Sequence, residues 1–554
     1  MARTPIVSFL QELYRDYADA ERTGKSVQQV REERSAAAMT RRELIKVGGA
    51  AAVGVALAGR PLLASAAATP RIAIIGAGIA GLNAALQLQD GSSPKVGAFA
   101  STIYEAADFV GGRMHSRQLP WLNGQVSEHC GELIDSDHTT IMGLATRFGL
   151  PVTDLVAAQP AGAPLKTYFL NGSYYSQSQA VIDFGPVYTA LQADLKAIGA
   201  SNHGSVTFNN FNAAALALDQ MSNFEWIESR VPGGHSSPLG NLIDLGYLTE
   251  FGRDSTDQSS LNIVTFLGFQ PKPVTFDIYG TSDERFHITG GNQKLPIAMA
   301  DLLTTRSPRC TIKLSTALQA IARNSDGTYT LTFAQGGSKF TTIADRVIMT
   351  VPFSVLRGLN FANAGFDSQK TFAINNLGYG TNTKLHLQFN SRLWNQPGPW
   401  GANGSSGYTI ADTGYQQSWD VSRGQALPQG ILVNYTGGSV GTSFTSDTAA
   451  SLAGYASTFL KQVEPVFPGI TATYNGIATL DTPWRNPNLL GSYACWRVGQ
   501  VTSIAGSEKL RSHNCHFAGE HCSLNFQGFM EGAAQEGIRA AQEIQSDFAA
   551  GILP

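Results

Sequence analysis

Several things are scarce in this chain, and each scarcity excludes something. Charged residues make up only 15% of its 554 residues, and the formal net charge is -3. With no long basic run either, nucleic acid is not an expected partner. The five cysteines, at positions 130, 310, 495, 515 and 522, match neither a disulfide scaffold nor a zinc signature, and their odd number leaves at least one thiol free if none pairs between chains. His129, His235, His516 and His521 lack metal-ligand spacing, so no metal is expected. There is no repeat of fixed period, and beyond the amino-terminal region no window has the ~18 consecutive apolar residues of a membrane span. Glycine is abundant, at 58 residues, beside 43% hydrophobic residues. That is the composition of a loop-rich globular chain long enough for two or three domains.

The first 68 residues read as an address rather than as part of the fold. Thr40-Arg41-Arg42-Glu43-Leu44-Ile45-Lys46 precedes a weakly hydrophobic run from Val47 to Gly59, and Ala64-Ser65-Ala66-Ala67-Ala68 offers small residues for cleavage. Charged, apolar and cleavable regions in that order form a signal peptide, and the paired arginines resemble the twin-arginine export type. The run falls short of the ~20 strongly apolar residues of a membrane anchor. Residues 1–38 are a long polar lead, either a helical pre-segment or a stretch upstream of a start at Met39.

The chemistry starts at residue 71. Arg71-Ile72-Ala73-Ile74-Ile75 suits a buried parallel strand, Gly76-Ala77-Gly78-Ile79-Ala80-Gly81 follows, and apolar residues at helical spacing run from Leu82 to Gln89. In a dinucleotide site Gly76 permits a tight turn, Gly78 lets backbone approach a pyrophosphate, and Gly81 lets helix pack on strand. The helix N-terminus then points its free N–H groups at the phosphates. A second strand, Ser101-Thr102-Ile103-Tyr104, ends in Glu105, near the distance of about 20 residues at which a carboxylate meets the adenosine ribose. Gly111-Gly112-Arg113 can hold the diphosphate from the other side.

Further along, 151–285 reads as a mostly helical insertion, with helical patterns around Pro186 to Ile198 and Asn212 to Ile227. Ile312 to Ile321, Thr328 to Phe333 and Thr341 to Thr350 read as successive strands, with Asp326-Gly327 as a hairpin turn. Gly378 to Phe389 alternates as a strand that carries Lys384. Cys515 to His521 is a buried strand ending in an acid, and a helix opens at Gln527.

Taken together, Gly76 to Gly81 with Glu105, Gly111-Gly112-Arg113, Gly290-Gly291, Asp345 through Pro352, Gly380 with Lys384, Gly491-Ser492-Tyr493, Phe517-Ala518-Gly519-Glu520 and Gly528 to Ala533 resemble, in order, the flavin amine oxidase family of monoamine, polyamine and L-amino acid oxidases. The resemblance implies an α/β fold: a Rossmann-like FAD-binding domain (69–150, 286–355 and 500–554), interleaved with an α+β substrate domain (356–499) and the helical insertion (151–285). It implies that Ile79, Ala80, Glu105, Ala106, Gly112 and Arg113 bind the adenosine and pyrophosphate half of FAD, with Leu318 offering backbone to the adenine. Gly131, Glu132 and Leu133 would lie against the isoalloxazine, Glu520 near the ribityl and pyrophosphate region, and Gly528, Phe529, Met530 and Ala533 would set a helix N-terminus near the pyrimidine ring. Lys384 matches the family lysine that holds a water at flavin N5, and Tyr493 and Phe529 match the aromatics flanking the amine, with Gly528 beside them. Monoamine oxidases carry a tethering cysteine at the position of Ser492, so FAD is expected to be non-covalent.

The implied reaction oxidises a C–N bond: hydride passes to the flavin, the imine hydrolyses, and O2 returns as H2O2. The resemblance is less specific about substrate. Leu133 stands where L-amino acid oxidases have a carboxylate-binding arginine, which leaves Arg253, Arg285 or Arg497 as alternatives, whereas Glu132 and Asp135 favour a cationic substrate. Alternatives are a strict L-amino acid oxidase giving a 2-oxo acid, a polyamine oxidase, a dehydrogenase serving a non-oxygen acceptor, and a flavin-fold binding protein without chemistry. The expected partners are a small amine or amino acid, O2 and the twin-arginine machinery, with a periplasmic or secreted location and a homodimer left open.

Overall fold

The computed structural model describes residues 16–31, 70–91, 97–164, 166–200, 204–268 and 283–552. The twin-arginine motif, its apolar run and its cleavable segment lie outside the described residues.

Five parallel strands form one sheet, in the order Cys515–Phe517, Arg346–Met349, Ile72–Ile75, Thr102–Tyr104, Thr311–Lys313. All four residues of Ile72–Ile75 are buried, as expected for a central strand covered on both faces. Ile72 pairs with Arg346, and Met349 with Phe517, so three stretches separated by more than 160 residues each share one sheet. The helices Ile79–Asp90 and Met530–Ala549 pack side by side against it. Their closeness depends on Gly537, where a Cβ would lie 2.2 Å from the Ala80 carbonyl oxygen. Gly537→Ala should therefore lower the denaturation midpoint, since the clash outweighs alanine's helix preference by about 1–3 kcal/mol; an unchanged midpoint would show that the two helices separate freely.

A second sheet has seven strands, in the order Tyr474–Asp481, Thr383–Phe389, Gly430–Thr436, Gln417–Asp420, Thr409–Ala411, Thr167–Leu170, Ser173–Tyr175. Thr383–Phe389 is interior and buried at every position, so the polar face that carries Lys384 looks into protein rather than solvent. Two of the seven strands come from the segment expected to be a mainly helical insertion.

Local pattern also misplaced some boundaries. The stretch Ile312 to Ile321 is two strands in different sheets, Thr311–Lys313 and Ala317–Arg323, separated where Ser315 takes a φ of 50°. Thr341 to Thr350 likewise divides at Asp345, whose N–H donates to the Arg71 carbonyl while its carboxylate accepts from the Arg71 N–H at 2.7 Å. The helix expected from Pro186 begins earlier, spanning Gln177–Ile198 with Pro186 inside it. Proline lacks the N–H that would bond the carbonyl four residues back, that of Ile182; the Tyr17 hydroxyl donates to the neighbouring Val181 carbonyl and lies 3.5 Å from that of Ile182. Tyr17 belongs to the amino-terminal lead, which is helical at 16–23 and 27–31 and stacks on Tyr188 with ring centroids 5.5 Å apart. Part of the lead is thus docked on the fold.

Candidate active site

Strand, glycine turn and helix follow one another as Ile72–Ile75, 76–78 and Ile79–Asp90, and the three glycines differ in their surroundings. Gly76 has a φ of 108°, and a Cβ there would lie 2.4 Å from Thr350 Oγ1. A Cβ on Gly81 would meet the Gly76 carbonyl oxygen at 2.0 Å, so helix and turn are in direct contact. Gly78 differs: its φ of -70° suits any residue, and a Cβ would meet nothing nearer than the Gly111 carbonyl at 4.0 Å. No packing within the protein requires glycine there, which fits a cradle kept bare for a phosphate group. Ile79 and Ala80, both buried, open the helix over this cradle. Gly112, with a φ of 57°, backs onto Gly78 Cα.

Glu105 sits at the end of the second strand. One of its carboxylate oxygens accepts from the Ala77 N–H at 2.6 Å and the other from the Ala107 N–H at 2.8 Å. Burial raises its pKa, and the N–H groups of Ala107, Ala77 and Ala106 pull the other way. The Glu105 carbonyl accepts from Thr316 at 2.7 Å, which brings the strand bearing buried Leu318 alongside.

Arg113 spans the two halves of the chain. Its Nη1 donates to the Ser492 carbonyl and to Glu520, both at 2.8 Å. Burial works against this charge, but Glu520 outweighs it and raises the arginine's pKa. The other Glu520 oxygen accepts from the Gly528 N–H at 2.8 Å, fixing the turn before Phe529 and the closing helix. That helix also buries Ala533. Met530 closes onto Gly131, where a Cβ would lie 3.0 Å from its sulfur. Asn292 holds the same turn from below, its side chain donating to the Glu132 carbonyl at 2.7 Å. Ser492 donates to Asn382 at 2.6 Å, leaving no thiol at that position for a covalent tether. The turn bearing Leu133 is therefore gripped from two distant segments, at Asn292 and at Met530.

Lys384 reaches this turn from the seven-stranded sheet. Its ammonium donates to Glu132 Oε2 at 2.6 Å, to the Cys130 carbonyl at 2.8 Å and to the Glu128 carbonyl at 3.4 Å. Trp419 donates to the other Glu132 oxygen at 2.9 Å. Burial drives the Cys130 thiol up to about 12, so it is no nucleophile at neutral pH.

Tyr493 bonds the Tyr435 hydroxyl at 2.7 Å and donates to the Thr249 carbonyl at 3.1 Å, and Tyr435 packs edge-on against Trp419. Phe529 meets His138 edge-on at 5.0 Å. Buried carboxylates lie nearby. Glu250 follows Thr249 and is fully buried. Glu284, 5% exposed, lies within electrostatic reach of Asp135, Glu250, Lys166 and Arg423, and one of its oxygens has no hydrogen-bond partner among the described residues. Burial, followed by Asp135 and Glu250, pushes its pKa well above the carboxylate range.

Sequence pattern missed Trp419, Tyr435, His138, Glu284 and Arg423, none of which stands in a motif with its own spacing. The arginines it offered as carboxylate partners are already engaged: Arg253 and Arg497 with Asp257, Arg285 with Asp154. Among the described residues one group has metal-ligand spacing, Asp135, Asp137 and His138 within 4.8 Å. The Asp135 N–H donates to His138 Nδ1 at 3.1 Å, which puts the ring proton of the neutral imidazole on Nε2, 3.4 Å from an Asp135 carboxylate oxygen.

Comparison with known proteins extends the same reading. The family model described as flavin containing amine oxidoreductase matches residues 79–545. YobN of Bacillus subtilis (strain 168), which carries the provisional name of an L-amino-acid oxidase, is 24% identical over 495 residues, covering 85% of this chain and 94% of that protein. Polyamine oxidase 7 of Oryza sativa subsp. japonica is 23% identical over 508 residues, covering 88% and 97%. Among solved structures, cyclohexylamine oxidase from Brevibacterium oxydans IH-35A superposes with a TM-score of 0.68 at 20% identity, covering 87% of this chain and all of that one. Putrescine oxidase bound to putrescine gives 0.68 at 17% identity, covering 86% and 99%. With its bare Gly78 cradle, the Glu105 acid and a closing helix packed against Ile79–Asp90, the chain belongs to the flavin-containing amine oxidoreductase family, and its cofactor is FAD.

Proposed function

We propose that the protein is an amine oxidase that takes a hydride from the carbon beside a primary amine, passes the electrons to O2 to give H2O2, and releases an imine that water hydrolyses to ammonia. FAD, when bound, supplies the hydride acceptor and the reactivity toward O2. The chain supplies orientation and a dry aromatic wall: Tyr493, held by Tyr435 and Thr249, and Phe529, backed by His138.

The observation that carries the substrate class is Glu284. A buried carboxylate with an open acceptor, beside Asp135 and Glu250, suits a second positive charge on the substrate, so a diamine or polyamine is the reading it supports. Burial keeps Glu284 protonated above the usual carboxylate range, so an arriving ammonium must expel that proton. Diamine binding should tighten as pH rises toward the raised pKa and then level off. The same raised value makes the fold less stable as pH climbs from the unfolded pKa to the folded one. In a peroxide assay, Glu284→Gln should lower the ratio of kcat/KM for a diamine over its matched monoamine at least tenfold, as expected for loss of a charge-assisted bond of about 1.5–3 kcal/mol. A wild-type enzyme indifferent to the second amine would end this reading.

A second reading has its own support. Arg423, which burial drives to a lower pKa, lies within electrostatic reach of Glu132 and Glu284 and, among the described residues, bonds only the Asp420 carbonyl, through Nε at 3.0 Å. Its remaining donors suit a carboxylate, as an L-amino acid would bring. Activity on L-lysine but not on cadaverine, abolished in Arg423→Met, would favour it. Export by the twin-arginine route to the periplasm or medium belongs to the same proposal; Arg41→Lys with Arg42→Lys should hold the protein in the cytoplasm.

A further inference from the structure

Lys384 is only 6% exposed, and an ammonium has three N–H donors. Three oxygens take them: Glu132 Oε2, the Cys130 carbonyl and, at the outer limit, the Glu128 carbonyl. Glu132 is as fully committed, one oxygen to Lys384 and the other to the Trp419 indole N–H. The Trp419 ring also stands 5.7 Å from the ammonium. Burial penalises the Glu132 charge, but Lys384 and Trp419 outweigh it and hold the carboxyl below its ordinary range. The Glu132 carboxyl is therefore ionised at neutral pH, 2.6 Å from the Lys384 nitrogen.

We infer that Glu132 is a positioning residue that cancels the charge of Lys384 and takes one of its three donors, so that the turn from Glu128 to Leu133 presents the flavin ring system with a neutral ion pair instead of a free cation. The inference rests on the reading that this turn lies against the flavin, and it does not depend on which amine is oxidised. Its physical content is electrostatic. A reduced flavin carries more negative charge than an oxidised one, so a nearby cation favours reduction, a nearby anion opposes it, and a tight pair nearly cancels.

The test uses the holoenzyme with no amine present, reading the midpoint potential of bound FAD against a reference dye during anaerobic reduction. In Glu132→Gln the ammonium loses its counter-charge, and the ratio of reduced to oxidised flavin at fixed potential should rise at least tenfold, about 30 mV for a two-electron couple. Lys384→Met leaves the anion alone and should move the ratio the other way. The double variant should return to within about threefold of wild type, and Glu132→Asp, which keeps the charge, should stay close to it. Single variants that coincide with wild type or shift in the same direction overturn the inference, as does a double variant that fails to return. Should Glu132→Gln not retain FAD, Lys384→Met and the double variant decide by the same criteria. A wild-type enzyme with a normal titration but no activity on any amine would sink the proposed activity and leave this inference intact.

Discussion

Gly78→Ala should give a protein that folds as well as wild type and is recovered colourless. The two halves of that expectation have separate causes. Within the protein an alanine Cβ at this position would touch nothing nearer than 4.0 Å, and the backbone is already at φ -70° and ψ 175°. Replacing glycine where the conformation suits alanine stabilises a fold by about 0.4–1 kcal/mol, by narrowing the unfolded ensemble. The same methyl would stand where the diphosphate must approach the backbone, and FAD affinity should fall at least about 100-fold, close to 2.8 kcal/mol. Gly81→Val provides the contrast, because its side chain would be forced into the Gly76 carbonyl 2.0 Å away, and folding and flavin should fail together. The measurements are the flavin-to-protein absorbance ratio and the thermal midpoint of each apoprotein. A yellow Gly78→Ala protein with full occupancy would mean that the turn binds no dinucleotide.

That contrast also shows what was legible in the sequence. The roles of Gly76, Gly78 and Gly81 follow from a strand, a turn and a helix adjacent in the chain, and local chemistry is what a sequence displays. The ordered motifs brought in Arg113, Lys384, Tyr493, Glu520 and Phe529 for the same reason. Partners made by strand pairing were not legible. Trp419 reaches Glu132 only because Gln417–Asp420 lies two strands from Thr383–Phe389, and no spacing in the chain announces that neighbour. Glu284 and Glu250 are ordinary acids until folding removes them from water. The division at Asp345 was hidden because an alternating pattern tells which face a residue takes but not which sheet it joins.

Glu520→Gln should damage the fold and the cofactor site together, because one carboxylate ties together three segments. It pairs with Arg113 at 2.8 Å, accepts from Gly528 at 2.8 Å and from Ala494 at 3.2 Å, and is almost fully buried. An amide of the same shape can still accept a bond, so the chief loss is the charge opposite a guanidinium already drawn out of water. Removing one partner of a buried pair costs about 3–5 kcal/mol, mostly the penalty of the charge left behind. The thermal midpoint should fall sharply. FAD retention should fall with it, since the N–H of Gly528 then loses its ionic anchor and the start of the closing helix is freed. If the stranded Arg113 is the cause, Arg113→Met in the Glu520→Gln background should recover part of the lost stability, with a coupling of about 2–3 kcal/mol in a double-mutant cycle. Strict additivity of the two changes would mean that Glu520 acts through Gly528 and Ala494 alone, and that the arginine is bonded chiefly by the Ser492 carbonyl.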